Sequence, residues 1–267
     1  MDLGLADRCA LVTGGYRGTG AGISKVLAAE GATVLVHGLE AGQADPVVAA
    51  IAEAGGRAHA VHGDIRSDDG AADLRASVAA VTDHVDIVIN NYGVADGTTW
   101  DDATGTTWHA SYDTNVVSAI RVVDAFVGPM RERGWGRIVF VATVGATRPG
   151  DRIPEYYAAK GALPSITVSL SKHLAGTGIT VNCVSPGLIA TPEVIDRVTT
   201  RAEREGAATD WPSIERRLLD RVMTNPSGRV PFPEDIGRVV AMVVSEPSWH
   251  INGAHLRVDG GAADAVT

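Results

Sequence analysis

Tyr156 and Lys160 stand four residues apart in the run Tyr156-Tyr157-Ala158-Ala159-Lys160, thirteen residues after the hydroxyl of Thr143. If residues 155–176 are helical, four residues turn through about 400° and leave both side chains on one face. Free tyrosine titrates near 10, above the range in which a group exchanges protons readily at neutral pH. A cation about 4 Å away, at an effective dielectric of about 20, favours the phenolate by roughly 4 kcal/mol, or about three pKa units. Lys160 is therefore expected to make Tyr156 a usable acid or base. Upstream lies a second chemical signal, Thr13-Gly14-Gly15-Tyr16-Arg17-Gly18-Thr19-Gly20, between an apolar run and an amphipathic one. Glycines there let the backbone turn tightly and approach a pyrophosphate, whose charge meets the N–H groups and positive dipole end of the following helix.

Positioning such groups requires a regular frame. Apolar runs predict strands at Cys9 to Thr13, Thr33 to Val36, Ala58 to His62, Val85 to Asn90, Arg137 to Ala142, Thr180 to Val184 and His255 to Val258. Amphipathic stretches near residues 20–30, 43–54, 70–82, 104–128, 155–176 and 234–245 predict helices between them. This alternation, with strands apolar on both faces, implies an α/β fold: a Rossmann-type, doubly wound parallel β-sheet of about seven strands flanked by helices. Ligands are then expected at the carboxyl ends of the strands. Nothing divides residues 1–267, which read as one dinucleotide-binding domain. Residues 190–227 are charged and interrupted by Pro192, Gly206 and Pro212, too long for an ordinary connection. They are either a peripheral helical insertion or a lid over the site. Pro164, four residues after Lys160, predicts a local kink at residues 160–164.

Composition narrows the partners. The chain carries a formal charge of −9, and a nucleic-acid footprint needs a basic face, so no nucleic acid is expected. No apolar stretch approaches a membrane span and the first residues lack signal-peptide character, so a cytoplasmic protein is expected. Cys9 and Cys183 sit in apolar runs and read as buried reduced thiols. His59 and His62 lack a second ligand cluster, so no metal is expected. At the end of the second strand the chain reads His37-Gly38-Leu39-Glu40, with no carboxylate at Gly38 to grip a ribose 2′-hydroxyl. Arg17 could meet a 2′-phosphate instead, which tilts the reading toward NADP(H) over NAD(H), although Glu40 could swing back as a ribose acceptor.

Taken together, these residues resemble the short-chain dehydrogenase/reductases, in particular the compact group with a TGxxxGxG loop that includes 3-oxoacyl reductases. The motifs fall in order along nearly the whole chain: Thr13 to Gly20, Asp64-Ile65, Asn90-Asn91-Tyr92-Gly93 where NNAG is usual, Asn115, Thr143, Tyr156 with Lys160, Pro186-Gly187 with Thr191, and Val258-Asp259-Gly260-Gly261. The resemblance implies an NAD(P)(H)-dependent oxidoreductase interconverting a ketone and a secondary alcohol. It makes Tyr156 the general acid/base and Thr143 the donor to the substrate oxygen. Lys160 would hold the nicotinamide ribose and lower the Tyr156 pKa, and Asn115 would hold a water leading to solvent. It assigns cofactor contacts to the loop residues Gly14, Tyr16, Arg17, Gly18, Thr19 and Gly20, to Gly38 and Leu39, and to Asp64 and Ile65 around adenine. Asn91, Tyr92 and Gly93 would pass the ribose, and Pro186, Gly187, Ile189 and Thr191 the nicotinamide. Thr143 replaces the usual Ser, and its β-branch puts a methyl into the pocket. Tyr92 replaces a small residue, so its ring either points away from the cofactor or reshapes the approach to the ribose.

The resemblance also implies a homotetramer in which the helices near 104–128 and 155–176 pair between subunits. Val116, Ile120, Val123, Val168 and Leu170 serve either such interfaces or the internal core. In residues 190–227, Ile195, Trp211, Leu218 and Met223 either line an apolar substrate site or pack that segment's own helices. Arg131, Arg133 and Arg137 form either a basic patch for a carrier protein or a solvated helix end and strand entry. A small carbonyl or alcohol substrate is expected. The competing reading is a dinucleotide-binding sensor or scaffold that has lost catalysis.

Overall fold

The computed structural model describes residues 1–221 and 225–264. Seven strands, β1 (Cys9–Val12), β2 (Thr33–Gly38), β3 (Arg57–His62), β4 (Ile87–Asn90), β5 (Gly136–Val141), β6 (Ile179–Pro186) and β7 (His255–Val258), form one sheet in the order β3-β2-β1-β4-β5-β6-β7. Every pairing is parallel. Strands β1, β4, β5 and β6 are buried along their whole length because helices cover both faces. On one face pack α3 (Asp68–Ala79), α5 (Ser118–Arg133) and α6 (Pro154–His173), through Leu74, Val122, Phe126 and Leu163. On the other pack α1 (Gly18–Ala29), α2 (Asp45–Glu53) and α9 (Pro233–Val244), through Leu27, Ile51, Ile236 and Val240. The chain leaves β1 toward β3 on one side and returns to β4 on the other. A crevice therefore opens at the carboxyl ends of β1 and β4.

Several expectations change in detail. β3 is not apolar on both faces: as an edge strand it buries only Val61 fully, and His59 and His62 are exposed. The single helix expected over residues 104–128 is divided into α4 (Gly105–Tyr112), a π-helical turn at Asp113–Val117 and α5. α4 opens on a reciprocal cap, with Thr104 N–H donating to the Thr107 hydroxyl at 3.0 Å and Thr107 N–H to the Thr104 hydroxyl at 3.3 Å. Pro164 lies inside α6, which runs from Pro154 to His173, so the proline does not end the helix. In the next turn the Thr167 hydroxyl donates to the Leu163 carbonyl at 2.8 Å.

Residues 190–227 contain α7 (Pro192–Arg204) and α8 (Trp211–Arg221). Ile195, Trp211 and Leu218 pack with Ala190, Ile214 and Val230 into a core of their own, while Met223 lies outside the described residues. Arg137 is no surface charge. It is buried, donates to the Gly136 carbonyl at 2.9 Å, and lies 4.2 Å from the Trp135 ring centroid. Arg133 donates to the Val85 carbonyl at 2.6 Å, so these arginines brace a strand entry. Val116 and Val123 belong to the internal core, whereas Ile120 on α5 and Val168 on α6 are exposed. Cys9 and Cys183 are buried free thiols. Among the described residues no helix is long and apolar enough to cross a membrane.

Candidate active site

The glycine loop runs from β1 into α1. No side chain caps α1 and no acidic residue occupies its first turn, so its N–H groups and dipole face the crevice uncompensated. A Cβ on Gly20 would overlap the Gly14 carbonyl oxygen, so the loop closes only with glycine there. Its position is pinned from behind by His37. Gly14 N–H donates to His37 Nδ1 at 3.1 Å, and His37 Nε2 donates to the Gly63 carbonyl at 2.9 Å. Burial pulls the His37 pKa down to about 4, so the imidazole stays neutral with its proton on Nε2. The sequence signal for this role is a histidine directly after the apolar run Val34-Leu35-Val36 of β2. Beside it, the Thr13 hydroxyl accepts from the N–H groups of Asn91 and Tyr92, each at 3.0 Å, which fixes the end of β4 against the loop.

The chemical groups converge from three elements. β5 delivers Thr143 just past its end, α6 delivers Tyr156 and Lys160, and the π-helical turn delivers Asn115. Lys160 Nζ donates to the Val141 carbonyl at 3.0 Å. Asn115 Oδ1 accepts from Val94 N–H at 2.9 Å, while its Nδ2 donates to the Ser111 carbonyl at 3.1 Å. Gly93 lies between them, where a Cβ would fall 2.7 Å from both Lys160 Nζ and Asn115 Oδ1. Any side chain at Gly93 would drive the lysine and the asparagine apart.

Electrostatics correct one expectation. The Tyr156 pKa is pushed up to about 12, chiefly by burial and then by Tyr157, with the Thr143 hydroxyl's hydrogen bond opposing the rise. Burial pulls Lys160 down to about 8. Lys160 does not bring the phenol toward neutrality here. Its ammonium is spent on the Val141 carbonyl, and loss of water disfavours both charged forms.

Thr143, Tyr156 and Lys160 line one cleft of about 420 Å³ together with Gly14, Tyr16, Arg17, Gly18, Thr19 and Gly20 from the loop. Asn91, Tyr92 and Gly93 at the end of β4 close one wall, and Pro186, Gly187, Ile189 and Thr191 after β6 the other. Asn115 stands behind the wall formed by Gly93. Ala95, Val141, Ala142 and Glu193 also line the cleft and were not anticipated. Glu193 lies in the first turn of α7, which is capped by the Thr191 hydroxyl accepting from Val194 N–H at 3.3 Å.

Gly38, Leu39, Asp64 and Ile65 are not among the residues lining that cleft. Leu39 N–H donates to Gln43 Oε1 at 2.8 Å, Ile65 is buried in the core, and Asp64 takes both arms of Arg66 at 2.8 and 2.7 Å. The Arg66 guanidinium holds the Asp64 carboxyl below its usual range. Tyr92 resolves both ways: its ring is buried in the core while the residue still contributes to the cleft wall. Arg17 sits 5.3 Å from the Tyr16 ring centroid at the cleft's mouth.

One carboxylate ties the cleft's roof to α6. Glu155, only 1% exposed, accepts from the Thr98 hydroxyl at 2.5 Å and from Thr98 N–H at 3.3 Å. These bonds, led by the Thr98 hydroxyl, hold its pKa below the usual carboxylate range. Ile153 N–H donates to the Thr98 carbonyl at 3.0 Å, and Ile153 itself adopts φ 51°, a costly conformation for a β-branched residue. Residues 97–99 are thereby held against the turn that presents Tyr156.

The glycine cradle, the uncapped α1 N-terminus and the buried lysine fit a nicotinamide dinucleotide. Comparison with known proteins agrees. A family model described as short chain dehydrogenase matches residues 8–202. The chain is 32% identical over 259 residues to the D-beta-hydroxybutyrate dehydrogenase of Cupriavidus necator, spanning 96% of this chain and 98% of that protein. Among solved structures, L-sorbose reductase from Gluconobacter frateurii, complexed with NADPH and L-sorbose, superposes with a TM-score of 0.91 at 28% identity over 100% of both chains. A 7 alpha-hydroxysteroid dehydrogenase complexed with NADH and 7-oxo glycochenodeoxycholic acid gives 0.85 at 27% identity, covering 100% of this chain and 98% of that one.

Proposed function

The chain belongs to the short-chain dehydrogenase family, NAD(P)-dependent oxidoreductases of the CH–OH/C=O couple, and from that premise we propose that it reduces a ketone to a secondary alcohol with Tyr156 as the proton donor and NADPH preferred over NADH. The observation that carries this reading is the meeting of Thr143, Tyr156 and Lys160 in the cleft headed by the glycine loop. When bound, the dinucleotide supplies the hydride. Thr143 donates a hydrogen bond to the carbonyl oxygen, where negative charge develops as its carbon is reduced. Tyr156, held protonated across the neutral range by burial, then gives its proton to that oxygen. Lys160, at about 8, is the buried group suited to exchanging a proton near neutral pH. The four residues Asn115, Thr143, Tyr156 and Lys160 thus divide into one donor, one polariser and a replenishing pair.

Arg17 supports the NADPH preference as a cation at the cleft's mouth, and Gly38 leaves no carboxylate to repel a 2′-phosphate. Gly38, Leu39, Asp64 and Ile65 remain the residues proposed for the adenine end. Residues 190–227 serve in this reading as the substrate lid. Exposed Ile120 and Val168, on the two helices assigned to subunit pairing, support the homotetramer, which light scattering would count. The decisive experiment is Tyr156→Phe. Turnover of a ketone panel should fall by roughly 10²–10⁴, the usual worth of a positioned acid, while dinucleotide binding followed by fluorescence stays intact. Near-normal turnover excludes the proposed donor, and dinucleotide binding by a wild-type protein silent on every ketone would favour the sensor or scaffold.

A further inference from the structure

A second cavity, of about 770 Å³, lies between α7 and α8, and none of Thr143, Tyr156 and Lys160 lines it. Its size falls within the roughly 300–1,000 Å³ of small-molecule sites. Leu188, Val194, Val198, Ile214 and Leu218 give it an apolar floor. Its rim is cationic: Arg197, Arg201, Arg204 and Arg217 converge there, in a chain whose formal charge is −9. Glu205 pairs with two of them, Arg201 at 2.7 Å and Arg217 at 2.5 Å. No carboxylate among the described residues pairs with Arg197 or Arg204. Asp196 is the one acid on the cavity wall. An apolar floor under two uncommitted guanidiniums is complementary to a molecule with an alkyl body and one anionic end.

The cavity is distinct from the catalytic cleft yet shares a wall with it. Along one stretch of chain Gly187, Ile189, Thr191 and Glu193 face the cleft, while Leu188 and Val194 face the second cavity. We infer that the space between α7 and α8 is a binding site for an amphipathic carboxylate of medium chain length, separate from the dinucleotide cleft. The carboxylate lies against Arg197 and Arg204, and the alkyl chain lies on Val198, Ile214 and Leu218.

Isothermal titration with octanoate tests this without turnover or dinucleotide, so its outcome is independent of whether the ketone reductase assignment holds. Arg197 and Arg204 are exposed, so Arg197→Gln with Arg204→Gln leaves the packed face of α7 unchanged. The double variant should weaken octanoate about tenfold or more, 1-octanol should bind the wild type about tenfold less tightly than octanoate, and Tyr156→Phe should leave octanoate affinity unchanged. The site is refuted by an undiminished affinity in the double variant, by octanol binding as tightly as octanoate, by loss of binding in Tyr156→Phe, or by no octanoate binding to the wild type.

Discussion

At Tyr156 and Lys160 the same removal of water acts on opposite charges, disfavouring phenolate and ammonium alike, so the phenol climbs to about 12 and the amine falls to about 8. The spacing of the two residues was legible in the sequence. Their depth was not, because desolvation depends on everything that closes over a side chain. His37 obeys the same rule, and its consequence is measurable. Its folded pKa of about 4 lies below the 6.5 of an unfolded histidine, so the unfolded chain binds the extra proton between those values. The contribution to stability is therefore complete above pH 6.5 and is lost as pH falls toward 4, up to about 3 kcal/mol. Asp64 and His62, the charged neighbours of His37, act in opposite directions and more weakly than burial. Urea unfolding midpoints taken from pH 7.5 down to pH 4.5 should drop in the wild type and drop less in His37→Gln. An identical slope in the variant would place the acid sensitivity elsewhere.

Among the elements, the alternation of strand and helix followed from apolar periodicity, whereas the strand order β3-β2-β1-β4-β5-β6-β7 is fixed by contacts distant in sequence and was not legible there. The π-helical turn at Asp113–Val117 did not, because no local pattern distinguishes it from the flanking helix; it is visible only once Asn115 reaches Val94 across the cleft wall. Glu155 was missed for a related reason. As a residue in the first turn of α6 it reads as an ordinary acid at a helix start, yet the fold buries it against Thr98. The clasp it makes orders the segment that leads from Ala95 in the cleft wall to α4, so its loss should loosen the ground where substrate lands. Glu155→Gln keeps the shape and removes the charge-assisted bonds. The expected result is a KM for the ketone raised roughly tenfold with kcat changed little, and Glu155→Asp should restore less than half of the loss because it is too short to reach Thr98. A fall in kcat alone would instead place Glu155 in the proton-transfer step.

On the scale of the molecule, the cleft is assembled from residues 14 to 193 of the chain, so binding a dinucleotide must stabilise the fold rather than one loop. The strength of that linkage is set by mass action: at a hundred times Kd a ligand adds about 2.7 kcal/mol, which for a domain of this size raises Tm by roughly 5–10 °C. Which dinucleotide does this depends on its 2′-position. Arg17 stands at the cleft's mouth, whereas Arg66, just after β3, is already held by Asp64. The net acidity of the chain opposes the extra phosphate charge and makes the local cation decisive. At equal, subsaturating concentrations NADPH should therefore raise Tm more than NADH, and the advantage should shrink on adding salt because Arg17 is near solvent. Arg17→Ala should bring the two shifts together by lowering the NADPH value while leaving the NADH value in place. Equal shifts in the wild type would remove the NADPH preference, and a larger NADH shift would assign the 2′-hydroxyl to Glu40.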